Sequence, residues 1–151
     1  MKVIIQKVSQ GSVEVDEKIV GEIKEGYVIL LGIKPDDTDK DIDFLVEKIA
    51  NLRLFPEGEK YFEKSLVETH AQALIISQFT LYASCKKGRR PDFNEAAKGD
   101  IAKPLYEKFC ERLKAQGIKV ETGIFAAMMK VNLSNEGPVT IILESTRSER
   151  E

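Results

Sequence analysis

The segment that most constrains this chain is an apolar strand that abruptly turns polar. Leu74-Ile75-Ile76 opens a β-branched run, and Ser77-Gln78-Phe79-Thr80-Leu81 continues it with three hydrogen-bonding side chains. The apolar part predicts a buried strand. An unpartnered polar group in a core costs about 1–3 kcal/mol, so Ser77, Gln78 and Thr80 have no packing reason to lie there. Two readings remain. The strand end bonds locally to its own backbone, or the strand leaves the core at a pocket and presents these groups to a ligand.

The 151 residues allow one domain with a real core and not two, so a single domain over 1–151 is expected. A chain 42% hydrophobic and 32% charged is globular. No apolar run approaches the ~20 residues of a membrane span. Met1-Lys2-Val3-Ile4-Ile5 enters strand pattern directly, without a signal-length apolar region, and a cytoplasmic location is expected. Cys85 and Cys110 are far apart and read as free thiols in a reducing compartment. His70 is the single histidine. It lies in a polar stretch, reads as a surface residue, and cannot build a Cys/His metal cluster. No metal and no cofactor are expected. The GxSxG elbow and the Gly-rich phosphate loop are both missing.

Net charge is −2, so contact with nucleic acid has to be local. The candidate is Lys86-Lys87-Gly88-Arg89-Arg90, just after the polar strand end. By composition it is a solvated loop. By position it flanks the expected pocket, where phosphates would need neutralising.

Taken in order, the pattern predicts a long strand from Val3 to Val15 with a bulge at Gly11, then strands at Ile19–Ile23 and Tyr27–Ile33 forming an antiparallel meander. Asp36-Asp37-Thr38 caps a helix running to about Asn51. Leu52–Phe55 and a returning segment through Tyr61, Phe62 and Leu66 precede the polar strand. Residues 82–98 read as a long loop, and loops of that length are more often functional than idle. Asp100 caps a second helix, with Pro104 in its first turn, an apolar stripe through Ala102, Leu105, Tyr106, Phe109 and Leu113, and Gly117 at its end. Strands at Lys119–Thr122, Met128–Leu133 and Val139–Leu143 finish the fold, and residues 146–151 read as a frayed charged tail. The class is α+β: mostly antiparallel sheets in a barrel-like arrangement, with two long helices packed on one side.

A second segment changes the weight of the first. Asn135-Glu136-Gly137-Pro138-Val139-Thr140 is a turn leading into a strand. The SQFTL and NEGPVT segments together resemble the D-aminoacyl-tRNA deacylase family. MKVIIQKVSQGSVEVD, YVILLGI, RRPDF and GIFAAMMKV resemble it in order and spacing as well, so the likeness covers residues 1 to about 145. It implies an enzyme that hydrolyses the ester of D-aminoacyl-tRNA and spares the L form. It also implies a homodimer, with tRNA as the further partner.

The resemblance implies roles residue by residue. Ser77, Gln78, Phe79 and Thr80 form the catalytic stretch, with Thr80 either nucleophile or positioner. Backbone N–H groups near Phe79 and Thr80 are the expected oxyanion donors, and the substrate's 2′-hydroxyl is the expected base. Gly137-Pro138 is implied to be a cis peptide whose carbonyls enter the partner's site, accept the α-ammonium and occupy the space of an L side chain. Glycine would then also be removed, because a hydrogen needs no space. Phe125 and Met129 match pocket positions, with simple core packing as the alternative. Met128 departs from the family, which often has an acid there. Phe93 could stack or pack at the pocket mouth, and Ala102 is an expected neighbour of the terminal adenosine. A non-catalytic RNA 3′-end-binding module on the same fold, and a general esterase or D-peptidase, are the competing functions.

Overall fold

The computed structural model describes residues 1–146 and 148. Most of the expected frayed tail therefore lies outside the described residues. The first strand organises the rest. Along its first half β1 (Lys2–Val15) is flanked by β3 (Gly26–Gly32) and β8 (Lys130–Glu144), along its second by β2 (Lys18–Ile23) and β8, all antiparallel. The expected meander is corrected here: β2 and β3 each pair with β1, not with each other. The bulge is corrected too. The register of β1 shifts between Gln6 and Gln10 against β8, and between Val13 and Glu14 against β2, while Gly11 itself is paired. Gly11 is needed for closeness, because a Cβ there would meet Val28 Cγ2 at 2.7 Å.

These shifts let one strand serve two cores. Val3 and Ile5 join a buried cluster with Ile29, Leu31, Ala73 and Ile75. Val8 and Val13 join a second cluster with Ile23, Val28, Leu74 and Ile76. Val8 and Val13 are an odd number of residues apart, so strict alternation would put them on opposite faces. The irregularity between them restores a shared face.

Beyond β3 the sheet becomes parallel. β6 (Gln72–Ser77) pairs parallel with β3, and β7 (Lys119–Thr122) pairs parallel with β6. The sheet is therefore mixed, with its central strands parallel. β2 and β7 then approach each other, since a Cβ on Gly21 would lie 2.5 Å from the Thr122 carbonyl oxygen. This contact curls the sheet into a nearly closed, barrel-like form. β4 (Arg53–Glu57) and β5 (Lys60–Ser65) make a separate antiparallel ribbon.

Helices α1 (Asp39–Asn51) and α3 (Gly99–Ala115) contribute Ile42, Leu45, Ile49, Tyr106, Phe109 and Leu113 to the first cluster. Thr38 is the N-cap of α1, as expected; its N–H donates to Asp41 Oδ2 at 2.7 Å. The other oxygen of buried Asp41 accepts from Ser145 Oγ at 2.6 Å and ties down the end of β8. Lys98, not Asp100, is the N-cap of α3, and Pro104 lies past the first turn. Gly117 has φ +85°, fitting its place after the helix. Lys108 at 2.9 Å and Arg112 at 2.7 Å clasp Asp39 across the two helices, and the Lys108 hydrogen bond leads in holding its carboxyl below the usual range. A short helix, α2 (Leu66–Thr69), replaces the expected continuation of the strand through Leu66. Its signal was present: Ser65 and Glu68 form a reciprocal capping box.

The pairing of β3 with β6 rests on Gly26. A Cβ there would sit 1.8 Å from the Gln72 carbonyl oxygen and 2.7 Å from its carbon, both backbone. Neither strand can yield without separating. Gly26→Ala is expected to lower the thermal midpoint by about 10 °C or more, read by circular dichroism melting. A midpoint within about 3 °C of wild type would show that the two strands can part at this end at little cost.

Candidate active site

Parallel strands β3 and β6 end side by side, with Leu31 opposite Ser77. Their carboxyl ends open into a cleft of about 550 Å³. Ligands of open α/β sheets favour this place, because strand ends present backbone and side chains without a ladder partner. The floor is apolar, from Leu31, Ile33 and Ile76, and the polar entry comes from Ser77 and Gln78. This favours the pocket reading of the polar strand end. β6 stops at Ser77, and Phe79–Tyr82 form a 3-10 turn.

Gln78 is the hinge between strand and turn. Its N–H donates to Leu31 O at 2.8 Å, while its carbonyl accepts from Leu81 N at 3.2 Å. Its side-chain Nε2 donates to Thr80 Oγ1. That bond occupies a lone pair of the Thr80 oxygen and leaves its O–H free to point elsewhere as a donor. Thr80 is exposed at the lip and does not itself line the cleft. The N–H groups of Phe79 and Thr80 begin the turn and have no acceptor within it.

The opposite wall comes from α3 and the segment before β8. Ala102 is buried and lines the cleft. Phe125 and Met129 line it as well. Phe125 is half-buried against Tyr106, with ring centroids 5.7 Å apart, so it serves the core and the cleft together. The expected strand from Met128 and the expected turn at 135–140 are both corrected: residues 124–129 form an irregular wall, and one strand, β8, runs from Lys130 to Glu144 through Gly137-Pro138, which bulge out of the pairing with β1 between Asn135 and Thr140. Met128 stands at the rim, 91% exposed. An uncharged thioether there offers no charge to a ligand. Cys110 is buried in α3, and burial pushes its thiol up to about 12, which makes it unreactive.

Lys86, Lys87, Arg89 and Arg90 are exposed on a loop outside the cleft. The loop is latched at its neck, where Ser84 N donates to Asp92 O at 2.7 Å and Asp92 N donates to Ser84 O at 2.9 Å. Gly137 and Pro138 do not line the cleft of their own chain. Their peptide is cis, Gly137 has φ +129°, and both residues are exposed.

The Gly-Pro segment of β8 has a brace that the sequence did not disclose. Gln6 Oε1 accepts from Thr140 Oγ1 at 2.7 Å and from Asn135 Nδ2. Asn135 Oδ1 accepts from Val139 N at 3.1 Å. Gln6 thereby holds residues on both sides of the segment. No spacing rule links Gln6 to Asn135; only the β1–β8 pairing does so. Among the described residues, no group of three or more His, Cys, Asp or Glu is placed to hold a metal ion. No helix among them is long and apolar enough to cross a membrane.

Known proteins share this sequence and architecture. The family model for D-Tyr-tRNA(Tyr) deacylase matches residues 4–144. D-aminoacyl-tRNA deacylases of Aquifex aeolicus and Fervidobacterium nodosum are 52% and 49% identical. The first match covers 96% of this chain and 98% of the relative, the second 97% and 99%. A solved structure titled c-Myc DNA Unwinding Element Binding Protein superposes with a TM-score of 0.90 at 37% identity, over 97% of this chain and 99% of that one. A probable eukaryotic D-amino acid tRNA deacylase, at 21% identity and a TM-score of 0.81, covers 94% of this chain and 97% of its own, and shares the fold. With a family model spanning nearly its whole length and full-length relatives at half identity, the chain belongs to the D-Tyr-tRNA(Tyr) deacylase family.

Proposed function

We propose that this protein hydrolyses the ester joining a D-amino acid to the 3′ end of tRNA and spares L-aminoacyl-tRNA. The observation that carries this reading is the meeting of Ser77, Gln78 and Phe79 at one strand-end cleft, with Thr80 bonded to Gln78 at its lip, in a member of this family. The ester is already labile, because a protonated α-amine sits beside its carbonyl. Such a substrate needs positioning, oxyanion donors and an ordered water more than a strong base. The Phe79 and Thr80 N–H groups are the donors, and the freed Thr80 O–H orients the ester or the water. Thr80 is a poor nucleophile here, since its hydrogen-bond partner is an amide and not a base. The ribose 2′-hydroxyl next to the ester supplies the missing base.

Chirality is read by the Gly137-Pro138 carbonyls of a second copy of the chain, and the active form is a homodimer. The carbonyls accept the α-ammonium and fill the space of an L side chain. Selection by backbone and shape tolerates many D side chains, and glycine passes as well. Lys86, Lys87, Arg89 and Arg90 neutralise tRNA phosphates, so activity falls with added salt.

A second reading, an RNA-end-binding module without catalysis, draws on the structural neighbour named for binding DNA. Release of D-tyrosine from D-tyrosyl-tRNA, with L-tyrosyl-tRNA in parallel, separates the two. Rapid D-specific release is expected; an intact D ester after long incubation leaves the binding module.

Thr80→Ala is expected to slow release on the order of a hundredfold, the cost of lost positioning. A loss on the order of 10⁶-fold would make Thr80 the nucleophile.

A Cβ on Gly137 would lie 2.7 Å from Val139 Cγ2, at a φ that L residues rarely adopt. Gly137→Ala is expected to cut turnover on the order of a hundredfold with an unchanged circular dichroism spectrum. Mixed with Thr80→Ala it should recover activity, because a heterodimer keeps one site with both groups intact. No recovery would mean that each chain holds a complete site.

Gln6→Leu removes the acceptor shared by Asn135 and Thr140. It is expected to lower kcat/KM for the D substrate about 5- to 10-fold and to narrow the D/L ratio, measured on both tRNAs. Gln6→Glu keeps an acceptor oxygen and should retain more of the ratio; equal ratios in both variants would remove Gln6 from the brace.

A further inference from the structure

Among the aromatic rings outside both hydrophobic clusters, two touch each other beside the cleft. Phe79 is 54% exposed and Phe93 is 37% exposed, and neither belongs to a core cluster. They meet edge to face, with centroids 5.1 Å apart at 70°. Phe79 also lines the cleft, so the pair continues the cleft outward over its lip. Exposed aromatic surface joined to a binding cleft calls for an occupant.

Phe93 is held firmly. It follows the latch between Ser84 and Asp92. The Asp92 carboxylate accepts from Asn94 N at 2.7 Å and Asn94 Nδ2 at 2.8 Å. The Phe93 carbonyl accepts from Ala96 N at 3.0 Å, and Ala97 N donates to Ile33 O at 2.9 Å. The ring is therefore carried on a pinned segment. The same latch closes the loop 85–91, which bears Lys86, Lys87, Arg89 and Arg90 and no acidic residue. A flat apolar surface beside concentrated positive charge matches one ligand chemistry, an unpaired nucleobase with its phosphate.

We propose that Phe93, set against Phe79, is a stacking platform for the base of the nucleotide immediately 5′ of the aminoacylated terminal adenosine. This deepens the deacylase reading and rests on it. The terminal nucleoside occupies the cleft, and its 5′ neighbour leaves over the lip, where the aromatic pair lies. The loop cations then meet the phosphates of that single strand. Every base offers a π-face, so such a platform favours all tRNA ends alike and does not choose among them.

The test compares D-tyrosyl-tRNA with D-tyrosyl-adenosine, which has no 5′ nucleotide. Phe93→Leu keeps an apolar side chain and loses the ring. It is expected to lower kcat/KM for the tRNA about tenfold more than for the adenosine ester. Phe93→Trp should keep the wild-type ratio. The chain has no tryptophan, so that variant carries a single indole, which can be excited apart from the tyrosines. Its emission should be quenched by the trinucleotide CCA and not by adenosine. Equal losses on both substrates, an unchanged ratio in Phe93→Leu, or equal quenching by CCA and adenosine would overturn the platform alone. Wild-type inactivity on both esters would overturn the deacylase reading and the platform with it.

Discussion

The close parallel approach of β3 and β6 is the contact on which the rest of this structure depends. The carbonyl of Gln72 lies where a side chain at position 26 would have to be, so the two strands approach only because residue 26 is glycine. From that start the register runs unbroken to Leu31 and Ser77. Parallel pairing demands a long crossover, here α1, the β4–β5 ribbon and α2. The crossover places α1 over one face of the sheet, where it packs with α3 on Ile29, Leu31, Ala73 and Ile75. It also brings two strand ends to the same edge, and the cleft is the space beyond them. A slip of one residue would turn Ser77 away from the position it now holds.

The chemistry proposed for the cleft follows from what surrounds it. Its floor is hydrocarbon, and among the described residues no titratable side chain lines it. His70 caps α2 and lies outside the lining. A site without a built-in acid or base suits a substrate that brings its own reactive groups, and aminoacyl-tRNA does so with its α-ammonium and 2′-hydroxyl. The protein's part is then geometric. The Gln78 amide fixes the Thr80 hydroxyl, the 3-10 turn leaves the Phe79 and Thr80 N–H groups without acceptors inside it, and the strand ends carry both.

Local chemistry was legible in the sequence wherever neighbouring residues decide the outcome. Thr38 caps α1, Gly117 follows α3, and the change from Ile76 to Ser77 marks the strand end. Pairing partners were less legible. Short connections suggested that β2 and β3 lie side by side, but β1 is long enough to take each along a different half. The parallel strands were invisible for the same reason: Tyr27–Ile33 and Leu74–Ile76 are apolar runs that pair in either direction. Gly11 looked like a bulge, and its real cause, the methyl of Val28, is distant in sequence. Asp100 looked like a cap, but the helix begins earlier, at Gly99. The Gln6 brace needed β1 and β8 paired before it could be read at all.

The separation of the proposed functions within one chain is itself informative. The polar strand end lies at the cleft, whereas Gly137-Pro138 sits exposed on β8 and lines no part of it. Yet that segment is braced as if its position mattered, through Gln6, Asn135, Thr140 and the Val139 N–H. An exposed bulge that only interrupts a strand's pairing gains little from four fixed groups, since unpaired surface segments tolerate motion. A bulge that must fill a defined volume in another molecule gains directly, because the ordering cost is met before the two surfaces meet. On that reasoning the brace belongs to recognition more than to folding. Under the proposed function the discriminating backbone and the positioning hydroxyl would come from different chains, and neither would act until two copies had assembled.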